Sequence, residues 1–146
     1  MVGGAALLGM ALVGCGTGGS STGARPSGPT AAYCSTLDRV GDLDLLSDPA
    51  PAKVRADLRA LLALTRRAAR VAPDEIRADA DAAVAAQVRF NALYIAHGWD
   101  PEATNLDREF VALANSPELG ALYVRLEEYQ ARVCAPDPRT KDPLLA

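Results

Sequence analysis

At 146 residues the chain has room for one domain once extended ends are set aside. Hydrophobic residues make up 49% of it but aromatics only 5%, so the core has to be built from closely packed Leu, Val and Ala. That excludes an aromatic-rich β-sandwich and favours helices. A net charge of −3 argues against a nucleic-acid partner.

The chain opens on an uncharged apolar run from Ala5 to Val13, nine residues long. Crossing a bilayer takes about 20 apolar residues, so this run fits the apolar part of a signal peptide and not a membrane span. It ends in Leu12-Val13-Gly14-Cys15, and a Gly/Ser/Thr tract follows. No Lys or Arg precedes Cys15, a departure from the basic start of secretory signals. An apolar run, small residues and then cysteine resembles the lipobox of bacterial lipoproteins. The resemblance implies that residues 1–14 are a signal peptide and that Cys15 carries a diacylglyceryl anchor as the first residue of the mature chain. The mature protein is then expected on the extracytoplasmic face of the bacterial membrane.

Three cysteines in an exported chain would leave one unpaired. With Cys15 taken by lipid, Cys34 and Cys134 are expected to form a disulfide, which persists in an oxidising compartment.

Residues 15–30 read as a flexible tether, since glycine, serine, threonine and proline offer nothing to pack. Its typical reach is about 20 Å, and roughly 50 Å when pulled straight. The helical domain is expected over residues 31–135, with a loose tail over 136–146.

Within that domain, Thr30 is placed to cap a helix with Tyr33, Leu37 and Val40 inward. A second helix is expected from Pro51 to Val71, with Val54, Leu58, Leu61, Thr65 and Ala68 as its core stripe. Three later starts share a capping position, then proline, then acid: Ala72-Pro73-Asp74, Asp100-Pro101-Glu102 and Ser116-Pro117-Glu118. The third helix is expected from Pro73 to Ala96, with Ile76, Ala80, Ala83, Val84, Val88, Phe90 and Tyr94 inward and Gly98 as its stop. A short helix broken near Asn105 follows, and a last one runs from Pro117 to Val133 on Leu119, Leu122, Leu126, Tyr129 and Val133. Short connections make this an all-α, four- to five-helix antiparallel bundle closed by one disulfide. The lipobox, tether, early Tyr-Cys and final Leu-Glu-x-Tyr before a cysteine resemble small all-α lipoproteins of actinobacteria, a likeness that brings no further site residues.

No catalytic or nucleotide-binding motif is present, and no metal or cofactor is expected. The sole histidine, His97, reads as a helix-end residue interacting with the C-terminal dipole. The acids Asp38, Asp42, Asp44, Asp48, Glu75, Asp79 and Asp81 read as solvated faces and turns. Gln87 and Asn91 fall on or beside an inward stripe, where an unpaired amide is costly. They either bridge to another helix or form a small polar pocket with Tyr94. Arg55, Arg59, Arg66 and Arg70 share a sector of roughly 60° on the second helix. That basic stripe meets anionic headgroups, pairs with the acids Asp38, Asp42, Asp44 and Asp48, or is simply solvated; between membrane and acids, the short connection favours the acids.

The functional expectation is a membrane-anchored, non-catalytic interaction module with an envelope protein as partner. The alternative is a small-ligand carrier, because the run from Ser116 to Cys134 faintly resembles secreted haemophore-type domains. An enzyme is the least favoured class.

Overall fold

The computed structural model describes residues 27–134, and the architecture is all-α. The helices are α1 (Gly28–Gly41), α2 (Pro51–Val71), α3 (Arg77–Ala96), α4 (Pro101–Asn105), α5 (Arg108–Ala114) and α6 (Pro117–Val133), and a single 3-10 turn, Asp74–Ile76, leads into α3. The boundaries follow local chemistry. Pro51, Pro101 and Pro117 each sit in a first turn, where a missing N–H costs nothing. Asp100 accepts from the Glu102 and Ala103 amides at 2.9 and 3.2 Å, and Ser116 accepts from Leu119 at 3.0 Å.

Two boundaries differ from expectation. Helix α1 starts at Gly28 and not Thr30, so the last three residues of the expected tether belong to its first turn. Pro29 explains this: its fixed φ suits a first turn, and Gly28 at φ +68° steers the chain into it. The expected helix from Pro73 begins as the 3-10 turn and becomes α-helical only at Arg77.

Four helices form a closed ring in which α1 packs on α2, α2 on α3, α3 on α6, and α6 back on α1. The α4–α5 pair packs on α3, and Leu113 of α5 shares a core cluster with Leu119 and Leu122 of α6. The Cys34–Cys134 disulfide closes the ring from α1 to the end of α6, with an S–S distance of 2.04 Å and Cα atoms 5.4 Å apart. Beside it, Tyr33 and Tyr129 meet edge to face at 6.0 Å, over Ala68, Ala69, Ala72, Ile76 and Ala80. These alanines let α2 and α3 approach closely, since helix separation follows the side chains at the contact.

Toward the other end, Leu93, Leu113, Leu119 and Leu122 fill the space between α3, α5 and α6. Val54 and Leu58 pack against Tyr94 there, and Phe110 touches both Phe90 and Tyr94 edge to face at 5.5 and 5.8 Å. Val88, expected inward, is 41% exposed. Helix α3 is apolar nearly all round, so its period is weak, and the core stripe runs Ala80, Ala83, Gln87, Asn91, Tyr94 instead.

Candidate functional site

The lipobox residues Leu12, Val13, Gly14 and Cys15 lie outside the described residues. The start of α1 lies beside Arg70, Val71 and Ala72 at the end of α2 and near Arg77 at the start of α3; these residues line one small surface cleft with Gly28, Pro29 and Ala32.

Gln87, Asn91 and Tyr94 come together in the core, but not as a pocket. Gln87 Nε2 donates to Asn91 Oδ1 at 2.9 Å, and Asn91 Nδ2 donates to the Leu58 carbonyl at 3.3 Å. Both amides are buried, so this chain of bonds ties α3 to the α2 backbone. Tyr94 is packed by Val54, Leu58 and Phe110, and burial pushes its phenol above the ordinary range. The polar-pocket expectation is corrected: packing fills the space that a ligand would need. The larger surface cleft lies elsewhere, between Pro49 and Pro51 at the start of α2 and Asp100, Pro101, Glu102, Asn105 and Leu106 around α4. None of the three expected pocket residues lines it.

The basic stripe is on the surface. Arg55, Arg59, Arg66 and Arg70 are all exposed, and none has an acid within 4.0 Å among the described residues. The expected pairing with Asp38, Asp42, Asp44 and Asp48 is therefore corrected, and the reason is which edge of α2 meets the connection from α1. That edge carries Lys53 and Asp57. Lys53 Nζ bonds Asp57 at 2.6 Å and the Asp44 carbonyl at 2.9 Å, while Asp57 accepts from the Leu46 amide at 3.2 Å. Lys53, and after it the Leu46 amide, hold the Asp57 carboxyl below the usual carboxylate range. By helix geometry the arginine sector starts about 60° past Leu58 on the other side, toward α3.

Outside α2, four arginines are paired: Arg77 with Asp74 at 2.9 Å, Arg89 with Glu109 at 3.6 Å, Arg125 with Asp79 at 2.7 Å, and Arg132 with Glu75. The last two are cross-helix contacts between α6 and the α3 segment that sequence spacing did not anticipate; Asp79 and Glu75 are ion-pair partners, not merely solvated acids. The Arg125 guanidinium lowers the Asp79 carboxyl below its ordinary value.

His97 does sit at the end of α3, with Nε2 at 2.9 Å from Asp107 Oδ2. Asp107 also caps α5, accepting from the Glu109 and Phe110 amides at 2.7 and 3.1 Å. The imidazole first, then the Phe110 amide, hold its carboxyl below the usual range. The capping signal was readable as Asp107 ahead of Arg108-Glu109; the histidine contact needed the fold. Among the described residues no group of three or more His, Cys, Asp or Glu is placed to hold a metal ion. No helix among them is long and apolar enough to cross a membrane.

Comparisons with protein-family models, curated proteins and solved structures found no match.

Proposed function

We propose that the chain is an extracytoplasmic lipoprotein, anchored through Cys15 and serving as a non-catalytic interaction module of the cell envelope. The observation that carries this reading is the Cys34–Cys134 bridge. A disulfide that closes the whole ring belongs in an oxidising compartment. It also accounts for two of three cysteines and leaves Cys15, at the end of its apolar run, as the remaining one. The twelve residues from Gly16 to Ser27 then keep the bundle within about 40 Å of the bilayer.

The interaction role is supported by how the polar side chains are used. Gln87 and Asn91 join two helices, and His97 joins α3 to the cap of α5. What the bundle offers is a surface held rigid by a covalent closure. Cell fractionation with high-salt washes tests the reading: the wild-type chain is expected to stay with membranes, and Cys15→Ser to be released to the soluble fraction. Wild-type protein in the cytoplasm with reduced cysteines would overturn it.

A further inference from the structure

The outward face shared by α2 and α3 joins charge to apolar surface. Helix α2 carries six basic residues and one acid, Asp57, in a chain whose net charge is −3. Asp57 is already paired with Lys53, so Arg55, Arg59, Arg66 and Arg70 form an uncompensated stripe. From Arg55 to Arg70 it runs about 22 Å along the helix.

Leu58 meets α3 through Asn91, and the arginine sector starts about 60° from Leu58 on the side away from Lys53 and Asp57, so by helix geometry α3 flanks the stripe. Its Asn91 side chain faces Leu58, and Val88 and Ile95 lie within about 60° of Asn91 on the outward side. Both are exposed, Val88 at 41% and Ile95 at 60%, with exposed Ala85 and Ala92 beside them. The acid of that outer arc is Asp81, which has no cation within 4.0 Å among the described residues. Arginine stems and aliphatic side chains side by side suit an interface whose surface is anionic and whose next layer is apolar.

We propose that this α2–α3 face seats on the anionic surface of a lipid bilayer, with the arginines on headgroup phosphates and Val88 and Ile95 against the acyl boundary. The proposal deepens the anchored reading, because the start of α1 lies beside Arg70 and brings the stripe to the membrane end of the bundle. A diacylated cysteine already retains the chain, so the face orients the bundle and leaves the α6 side outward. Attraction of this kind acts within a Debye length and weakens with salt.

The test uses the full chain with Cys15→Ser, so that it is independent of lipidation. Co-sedimentation is measured with vesicles containing phosphatidylglycerol and with phosphatidylcholine alone, at low and high salt. Binding through residues 1–14 would appear on both vesicles and is subtracted. The expected result is a salt-sensitive preference for phosphatidylglycerol. R59Q/R66Q should lower it about five-fold per arginine, roughly 30-fold for the pair. Ile95→Gln should also lower it, with no change in charge. The equal-charge control R108Q/R125Q, on α5 and α6, should leave it within two-fold (about), and thermal melts should show each variant folded. Equal loss in the control would mean that net charge alone is responsible and would overturn the proposal. So would equal binding to the two vesicles, which leaves the arginine face without a preference for anionic lipid.

Discussion

Asn91 of α3 donates to the backbone carbonyl of Leu58 on α2 at 3.3 Å while accepting from Gln87, so one buried side chain fixes the register of two helices. Replacing it with alanine removes the bond to α2 and strands the Gln87 amide. The expected cost is about 2–3 kcal/mol, since leaving a buried donor unsatisfied costs more than losing a bond. Changing both amides to leucine should recover part of that loss. Urea melts of N91A and Q87L/N91L check this; a harmless N91A would contradict the structural role.

The Cys34–Cys134 bridge spans 100 residues of sequence, and its removal should be the largest single effect on stability. Chain entropy for a loop of that size gives about 4–5 kcal/mol. C34S/C134S should therefore melt far lower than wild type, and non-reducing peptide mass mapping should find the cross-linked pair. Free thiols at both positions in exported protein would contradict the assignment.

Stability should fall at both ends of the pH scale. The carboxyls of Asp57, Asp79 and Asp107 lie below the ordinary range in the folded state, chiefly through Lys53, Arg125 and His97. Their contribution is fully present above about pH 4 and is lost as pH falls through the lowered folded values. D79N should flatten this acid limb. At the alkaline end, burial and then the neighbouring Tyr129 push the Tyr33 phenol from 10.0 up to about 12. The unfolded chain ionises first, so stability is full below pH 10 and declines as pH rises toward 12. The loss is about 2–3 kcal/mol, and Tyr33→Phe should abolish that part of it. Chemical denaturation across pH, for wild type and the two variants, reads both limbs.

Helix α3 ends in a paired closure, with the Trp99 amide on the Tyr94 carbonyl at 2.7 Å and the Gly98 amide on Ile95 at 3.1 Å. Gly98 has φ +64° and Trp99 φ +68°. No atom crowds a side chain built at Gly98, so Gly98→Ala should cost only conformational strain, about 1 kcal/mol. Trp99 keeps its strained backbone while packing against the cluster of Val54, Leu58 and Tyr94. A melting temperature unchanged in Gly98→Ala would contradict this account of the turn.

These results show where the sequence was legible. The proline-acid starts at Pro101 and Pro117, the Pro51 start and the Gly98 stop are local chemistry, and the helices begin and end there. Tyr33, Val54, Leu58, Leu119, Leu122 and Tyr129 stand on clean helical stripes and are buried. Helix α3 was harder, because alanines surround it and apolar period put Val88 inward. Gln87 and Asn91 were legible on or beside the inward stripe, but whether they bridged to another helix or lined a pocket needed the fold. The arginine stripe was legible as a sector of α2, but not its direction. Which edge of α2 met the α1 connection depended on Lys53 and Asp57, and chain adjacency pointed to the wrong partner. Likewise, Asp107 as a cap needed only neighbouring residues, whereas its contact with His97 needed the fold.

The central claim is that Cys15 is the lipid-bearing first residue of the mature chain. Intact mass and N-terminal peptide analysis of protein extracted from bacterial membranes tests it most directly. The account predicts a chain that lacks residues 1–14 and carries a diacylglyceryl group on the Cys15 thiol, with Cys34 joined to Cys134. A chain that retains residues 1–14 with an unmodified Cys15 would contradict it.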